Sequence, residues 1–274
     1  MVTLERRGTG GEGLTIISVH SFRGGTGKSN TVASLAVLMA QRGKRVGVVD
    51  TDIQSPGIHV LFGLRANDIS ASLNDYLWGR TTITDCARQV FESEGGGAVF
   101  LIPASMKTNE IVQVLRQGYD IRRLTEALAE LTQTLNLDAI FIDTHPGLNE
   151  ETLFALAVSS AVVIVLRPDQ QDYEGTGIAV EVARSLEVPR LMLILNKAPA
   201  SLDLAAVRVS LQKTFNCEVA AVLPHSDRMM ELGSNEVFAR KFPSDPITVA
   251  LGAVVDELLR EDPGHGPGPE ANNG

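Results

Sequence analysis

Apolar residues along the chain fall into short, nearly continuous runs, which alternate with longer stretches of helical spacing such as residues 31–42. Continuous apolar runs are typical of parallel strands that are buried on both faces of a sheet. Their alternation with helices predicts one α/β domain, in which a mostly parallel twisted sheet is covered by helices on both faces. The predicted strands cover residues 14–19, 45–49, 99–103, 138–142, 161–166, 191–195 and 217–223.

A glycine-rich segment, residues 22–30, connects the first predicted strand to the first predicted helix. Glycines let a backbone curl until successive N–H groups point at phosphate oxygens, and the following helix adds the positive end of its dipole. Lys28 would reach the β- and γ-phosphates of a nucleotide, and Ser29 would offer its hydroxyl to Mg²⁺. Phe22 stands where the strict phosphate-loop pattern requires a glycine. The predicted phosphate contacts are Gly24, Gly25, Thr26, Gly27, Lys28, Ser29 and Asn30.

Three aspartates follow predicted strands: Asp50 and Asp52 come after the second strand, and Asp143 comes after the fourth. Because ligands of open α/β sheets bind beyond the carboxyl ends of the strands, we expect these side chains to face the glycine loop. Asp50 and Asp143 can support Mg²⁺ directly or through water. Asp52 is then left to orient the water that attacks the γ-phosphate. Taken alone, each aspartate is also a common helix cap or turn residue.

Two further polar residues follow predicted strands. Asn196 comes after residues 191–195, and its side-chain amide offers the donor and the acceptor that the edge of adenine requires, although asparagine is also a common turn residue. His145 lies in the turn after Asp143, where it either contacts the nucleotide or lies at the surface. We expect Asn196 to contact the base, and the role of His145 stays open.

These motifs resemble those of the MinD/ParA family of deviant Walker-A ATPases. The family's glycine loop, Asp-x-Asp pair and Asp-x-x-Pro-Gly turn correspond to residues 23–29, 50–52 and 143–147, and the likeness extends over about residues 14–260. The resemblance implies a three-layer P-loop NTPase fold with ATP and Mg²⁺ as cofactors. It also implies a homodimer in the ATP state, slow ATP hydrolysis, an activator or adaptor protein as partner, and a switch that positions or partitions a cellular cargo.

Arg23 stands where the family has a lysine that reaches the partner subunit's nucleotide across the dimer. The planar guanidinium suits a phosphate, so Arg23 is expected to act in catalysis with Lys28 and Asp52. The alternative is that Arg23 only forms a salt bridge with a surface acid. That alternative leaves a second function open, a nucleotide-responsive binding module with little turnover that controls a partner protein by ATP-dependent dimerisation.

Net charge, the charge of the last helix and the cysteine content bear on DNA binding, membrane anchoring and metal binding. The formal net charge of −9 opposes nonspecific DNA binding but leaves a local basic patch possible. The last predicted helix, residues 247–260, contains Asp256, Glu257 and a single basic residue, so no direct membrane anchor of the MinD kind is evident. The two cysteines, Cys86 and Cys217, are far apart and indicate neither a disulfide framework nor a metal cluster. We expect a cytoplasmic protein.

The remaining segments complete the predicted organisation. Residues 1–13 and 261–274 are rich in glycine, with proline in the second, and are expected to be a flexible N-terminal tail and a disordered C-terminal tail. Residues 14–260 then form the P-loop ATPase domain. Within it, residues 51–64 are predicted to be a switch loop, and residues 109–136 a strongly helical stretch whose exposed side could recruit an activator.

Overall fold

The computed structural model of the protein describes residues 14–260, and the predicted tails lie outside them. Its strands, numbered along the chain, are β1 (Thr15–His20), β2 (Arg45–Asp50), β3 (Arg88–Glu92), β4 (Ala98–Ile102), β5 (Ala139–Asp143), β6 (Ala161–Leu166), β7 (Arg190–Ala198) and β8 (Glu218–Pro224). They form one sheet in the order β3-β4-β2-β5-β1-β6-β7-β8. All neighbouring strands are parallel except β3 and β4, which are antiparallel. The predicted mostly parallel sheet is confirmed.

Helices connect the strands. They are α1 (Lys28–Gln41), α2 (Ile58–Leu61), α3 (Leu73–Leu77), α4 (Ile83–Cys86), α5 (Thr108–Gln117), α6 (Arg122–Leu135), α7 (Glu150–Val158), α8 (Gln170–Ser185), α9 (Leu204–Phe215), α10 (Asp227–Leu232), α11 (Phe238–Lys241) and α12 (Pro246–Leu258), with a 3₁₀ turn at Ala66–Asp68.

Successive residues of the central strands pack into two different apolar clusters, one on each face of the sheet. The sheet and the helices on its two faces are the three layers of the fold. Ile17 of β1 belongs to a cluster with Leu35 of α1 and Leu251 of α12. Its neighbour Ile16 belongs to a different cluster, together with Leu128 of α6. Since side chains alternate across a strand, α1 and α12 cover one face of the sheet and α6 covers the other.

Three expectations about the elements are corrected. β3 was not predicted, because this antiparallel edge strand is only partly buried and has no continuous apolar run. The helical stretch over residues 109–136 is two helices, separated where Gly118 takes a φ of 63°. The predicted loop over residues 51–64 contains the short helix α2. The remaining predicted strands are present with small shifts at their ends.

The register of β2 and β5 fixes the position of the acidic residues. Asp50 ends β2 and is the parallel partner of Asp143, which ends β5. β1 lies on the other side of β5 and leads directly into the glycine-rich segment. The carboxyl ends of β1, β2 and β5 therefore bring the loop and the aspartates to one edge of the sheet.

Candidate functional site

The loop between β1 and α1 has the backbone that a phosphate-binding turn requires. Gly25 and Gly27 have φ values of 77° and 94°, in the left-handed region that favours glycine. Gly27 immediately precedes α1, and a Cβ atom added to it would lie 2.4 Å from Nδ2 of Asn196. Gly27 is thus required both by its conformation and by the close approach of Asn196.

The end of β7 holds this loop from the side. Asn196 donates its Nδ2–H to the carbonyl oxygen of Thr26 at 2.8 Å, and Lys197 donates its Nζ–H to the carbonyl oxygen of Gly25 at 2.8 Å. The Oδ1 atom of Asn196 accepts a hydrogen bond from the backbone N–H of Lys197 at 2.8 Å. Asn196 therefore braces the loop, and its expected contact with the base stays a prediction. The sequence does not single out Lys197, since a lysine after a strand carries no distinctive signal.

Phe22 occupies the position of the missing glycine and packs against helix α8. A Cβ atom added to Gly175 of α8 would lie 2.1 Å from Cδ1 of Phe22 and 2.4 Å from its Cγ. The absent side chain at Gly175 provides the space that the phenyl ring fills. The first half of the loop is consequently anchored to α8 by a contact that the standard glycine could not make.

Arg23 also contacts the beginning of α8. Its Nη1 donates a hydrogen bond to Oε1 of Gln171. Its guanidinium lies 3.8 Å from an oxygen of Asp169 and 3.9 Å from an oxygen of Asp172. In this arrangement Arg23 pairs with acids of its own subunit, which was the alternative left open by the sequence.

The lysine of the loop reaches the strand-end acids. Lys28 forms a buried salt bridge through Nζ with Oδ1 of Asp143. Asp50 lies beside this pair and is completely buried, and its Oδ2 has no hydrogen-bond partner among the described residues. Burial, followed by the nearby carboxylates of Asp143 and Asp52, raises the pKa of Asp50 well above its ordinary value, although Lys28 opposes this effect. With all three aspartates ionised, the site would carry more negative charge than Lys28 alone can compensate, which is why the pKa of Asp50 is raised.

This donor set fits a magnesium ion that is held mainly by a nucleotide. Ser29 lines the same cleft as Asp52, and Asp50 offers an unpaired carboxylate oxygen. Within residues 14–260, no group of three or more His, Cys, Asp or Glu side chains forms a complete metal site. Mg²⁺ usually keeps several waters and takes only one or two carboxylates together with phosphate oxygens. The excess of negative charge and the incomplete ligand set both agree with that mode of binding.

Asp52 is paired with His145. The Oδ1 atom of Asp52 lies 2.6 Å from Nδ1 of His145, and the same oxygen accepts a hydrogen bond from the backbone N–H of Ser55 at 3.1 Å. Asp52 lines the cleft beside the glycine loop. The structure thus brings His145 to the acid that was predicted to orient water, and it gives His145 a defined partner.

A second histidine, His20, is buried at the end of β1. Its Nδ1 lies 3.0 Å from Oγ1 of Thr144, which in turn donates to the carbonyl oxygen of Val19 at 3.0 Å. Because the hydroxyl proton of Thr144 is used in this way, Nδ1 of His20 carries the proton and Nε2 is left as an acceptor. Burial, together with Lys28 and His145, lowers the pKa of His20 from 6.5 to about 3. His20 is therefore a neutral hydrogen-bonding group.

Two adjoining clefts flank the loop. The first has a volume of about 280 Å³ and is lined by the loop, Asp52 and Pro146. The second, of about 310 Å³, is lined by Asn196, Pro224, Met229 and other residues from β7 to α10. Gly25, Gly27 and Asn30 line both clefts. The second cleft is the less polar of the two, since apolar side chains such as those of Pro224 and Met229 line it.

A glycine loop between a strand and a helix, facing strand-end carboxylates across one sheet edge, defines the P-loop class of α/β proteins. The family model described as an AAA domain matches residues 14–190. The chain belongs to this family. The resemblance stated from the sequence is confirmed.

Individual relatives extend over different shares of the chain. An uncharacterized ATP-binding protein of Methanocaldococcus jannaschii is 25% identical over 248 residues, covering 89% of this chain and 87% of that protein. An iron–sulfur cluster carrier protein of Aquifex aeolicus is 30% identical over 186 residues, which are 67% of this chain but only 47% of that protein.

Among solved structures, the septum site-determining protein MinD of Pyrococcus horikoshii, complexed with Mg-ADP, superimposes with a TM-score of 0.76 at 22% identity. The match covers 90% of this chain and 97% of that one. This likeness confirms the P-loop NTPase fold.

Proposed function

We propose that the chain binds ATP with Mg²⁺ in the cleft beside the glycine loop, forms a homodimer in the ATP state and hydrolyses the nucleotide slowly. The observation that carries this proposal is the meeting of Lys28, Asp50, Asp52 and Asp143 at the sheet edge that the glycine loop overhangs. Residues 14–260 are the proposed ATPase domain. A magnesium complex of the homologous fold, the Mg-ADP form of MinD, supports the choice of ligand.

The proposed roles follow from position and chemistry. Backbone N–H groups of the loop, from Gly24 to Asn30, would contact the phosphates. The ammonium group of Lys28 would leave Asp143 and pair with the β- and γ-phosphates. Ser29, Asp50 and Asp143 would hold Mg²⁺ directly or through water. The ion, when bound, neutralises charge on the phosphates as the γ-phosphate is transferred. Asp52 orients the attacking water.

Arg23 is proposed to act across the dimer on the partner's γ-phosphate. To do so it must leave Gln171, Asp169 and Asp172, to which it is bound in the single subunit. Its side chain and that of Asp169 are each 42% exposed, so this pairing is weak and can be exchanged at small cost.

The output of the cycle is proposed to be spatial positioning or partitioning of a cellular cargo, with an activator or adaptor protein as partner. The name of the structural neighbour, a septum site-determining protein, supports a positioning role. An iron–sulfur carrier role, suggested by the name of another relative, is less well supported. Cys86 and Cys217 are buried, and burial raises the pKa of their thiols to about 12 and about 11, which opposes metal ligation.

The surroundings of the protein are also part of the proposal. In the portion of the chain that the structure describes, no helix has the length and apolar character needed to cross a bilayer. We propose a cytoplasmic location on the basis of the family. The net charge of −9 makes nonspecific DNA an unfavoured surface.

A second function is favoured by the pairing of Arg23 within its own subunit. If Arg23 stays with Gln171 and Asp169 in the dimer, the γ-phosphate lacks a cation from the partner, and turnover would be very low. The chain would then be a nucleotide-responsive module whose ATP dimer controls a partner protein.

One set of measurements separates these functions. Calorimetric titration with Mg-ATP tests binding, light scattering tests dimerisation, and phosphate release tests turnover with and without DNA or lipid vesicles. Turnover together with an ATP dimer supports the switch, whereas an ATP dimer without turnover supports the binding module. Lys28→Ala should abolish the dimer, and Asp52→Ala should leave a long-lived ATP dimer. The absence of any heat on titration would overturn both.

A further inference from the structure

We propose that His145 is a positioning residue for Asp52: it holds one carboxylate oxygen of Asp52 so that the other is presented to the attacking water. This inference rests on the proposed function, because it concerns the hydrolysis of ATP in the same cleft. It assigns a role to a histidine inside the switch turn, residues 143–147.

The contacts of Asp52 divide its two oxygens between two tasks. Oδ1 accepts from Nδ1 of His145 at 2.6 Å and from the backbone N–H of Ser55 at 3.1 Å. The hydrogen bonds from the described residues both fall on Oδ1, which leaves Oδ2 for a ligand in the cleft that Asp52 lines. A carboxylate held at one oxygen by two donors has little freedom to rotate away from the cleft.

The switch turn is itself braced on both sides of His145. Before it, the backbone N–H and the hydroxyl of Thr144 both donate to the carbonyl oxygen of Val19, and His20 donates to Oγ1 of Thr144. After it, Gly147 donates its N–H to the carbonyl oxygen of Ser21 at 3.2 Å.

Helix α7 adds one further support to the same turn. Thr152 donates its hydroxyl to the carbonyl oxygen of His145 at 3.2 Å. These contacts fix the backbone of His145 relative to β1 and the beginning of the glycine loop. His145 can therefore transmit the position of the loop to Asp52.

The proposed role of His145 requires only that its Nδ1 donate a hydrogen bond to Asp52. An ionised carboxylate is an acceptor, so His145 must carry its proton on Nδ1 when it is bonded to Asp52. No proton needs to pass to or from the ring during hydrolysis. A side chain that places an N–H group at the same distance from the backbone should therefore substitute for His145, whereas an apolar side chain of similar size should not.

Two variants make that comparison. His145→Asn places an amide nitrogen at the distance of Nδ1 from the backbone, whereas His145→Leu places a methyl group there. We expect His145→Leu to lower kcat by about 10- to 100-fold through misplacement of the water. KM for ATP and the ATP-dependent dimer should be unchanged. His145→Asn should recover most of the lost kcat.

A measurement on the nucleotide-free protein tests the contact without any turnover. In ¹⁵N-labelled protein under mildly alkaline conditions, His145 should show a protonated Nδ1, and Asp52→Asn should shift that resonance. An unprotonated Nδ1, or a resonance indifferent to Asp52→Asn, overturns the inference.

The kinetic outcomes distinguish this inference from the function on which it rests. If the unmutated protein hydrolyses ATP and His145→Leu does so with the same kcat, only the role of His145 is overturned. If kcat falls equally in His145→Asn and His145→Leu, a donor is not what Asp52 needs, and the inference is again overturned. No turnover by the unmutated protein overturns the hydrolytic function and this role together.

Discussion

The phenyl ring of Phe22 packs directly against the backbone of Gly175 and leaves no space for a side chain there. A Cβ atom on Gly175 would lie 2.1 Å from Cδ1 of Phe22. The contact joins the first residue of the glycine-rich segment to the second turn of helix α8 (Gln170–Ser185). It explains why the chain carries a phenylalanine where a standard phosphate loop has a glycine, since the ring attaches the loop to a rigid helix.

Gly175→Ala should therefore destabilise the protein, although alanine is the better helix former by about 1 kcal/mol. Overpacking costs about 1–3 kcal/mol, so we expect a net loss of about 1 kcal/mol in the free energy of unfolding, measured in urea. In a Phe22→Ala background the sign should reverse, because the clash is gone. Gly177→Ala is the matched control: its Cβ would lie 4.0 Å from Phe215, so it should stabilise. A loss of stability in both backgrounds would contradict the contact.

Asp50→Asn should stabilise the nucleotide-free protein and impair its use of magnesium. Burial and the carboxylates of Asp143 and Asp52 raise the pKa of Asp50, so its charge is unfavourable in the fold. Its removal should add on the order of 1 kcal/mol to the free energy of unfolding. The affinity for ATP should at the same time depend less strongly on Mg²⁺, measured by calorimetry, because Ser29, Asp143 and the phosphates remain as ligands.

Asp143→Asn is the contrasting variant at the neighbouring strand end. It removes the partner of a buried lysine, Lys28, and should destabilise the protein by about 3 kcal/mol. Equal effects of Asp50→Asn and Asp143→Asn on stability would contradict the division of charge between the two aspartates.

If Arg23 contacts the nucleotide of the partner subunit, removing the residues that bind Arg23 within its own subunit should favour the ATP-dependent dimer. The double variant Asp169→Asn, Gln171→Ala removes two partners of Arg23 and keeps a side chain that can cap α8. We expect ATP-dependent dimerisation at concentrations about two- to fivefold lower, measured by light scattering, because exposed pairs are worth about 0.5–1 kcal/mol. Arg23→Ala should reduce turnover.

A cap substitution on another helix provides the control for Arg23. Asp203→Asn makes the same chemical change at the N-cap of α9 and should have no effect on dimerisation. An Arg23→Ala protein that dimerises and hydrolyses ATP as before would remove the proposed role of Arg23.

Acid should destabilise the protein partly through His20. Its pKa is lowered to about 3 in the fold against 6.5 in the unfolded chain, so between these values the unfolded state binds a proton that the folded state does not. This contribution to stability is fully present above pH 6.5 and is lost as the pH falls towards 3, at up to about 1.4 kcal/mol per pH unit.

His20→Asn can keep the donor to Thr144 but has no titrating ring. The slope of unfolding free energy against pH should therefore be shallower for His20→Asn over this window, in urea titrations at several pH values. Parallel slopes for the two proteins would show that His20 does not titrate in this way.

The sequence was most informative about features that depend on local order along the chain. Glycines before Lys28 and an aspartate at the end of an apolar run predicted the loop, the sheet edge and the acids. The edge strand β3 could not be predicted, because its residues, such as Arg88 and Gln89, are partly exposed and do not form a continuous apolar run.

Contacts between residues far apart in the chain could not be predicted in the same way. His145 and Asp52 are 93 positions apart, and Asn196 and Thr26 are 170 apart. Such pairs depend on which strand ends lie side by side and on side-chain rotamers, which no local pattern encodes. The sequence therefore predicted the acids of the site but not the histidine that joins one of them.

The C-terminal end of β7 (Arg190–Ala198), here called its tip, supports the glycine loop through two hydrogen bonds. Asn196 donates to the carbonyl oxygen of Thr26, and Lys197 donates to that of Gly25. That same tip lines the roomier of the two clefts. Because Gly25 and Gly27 line both clefts, a displacement of Asn196 or Lys197 would change the shape of the two clefts together.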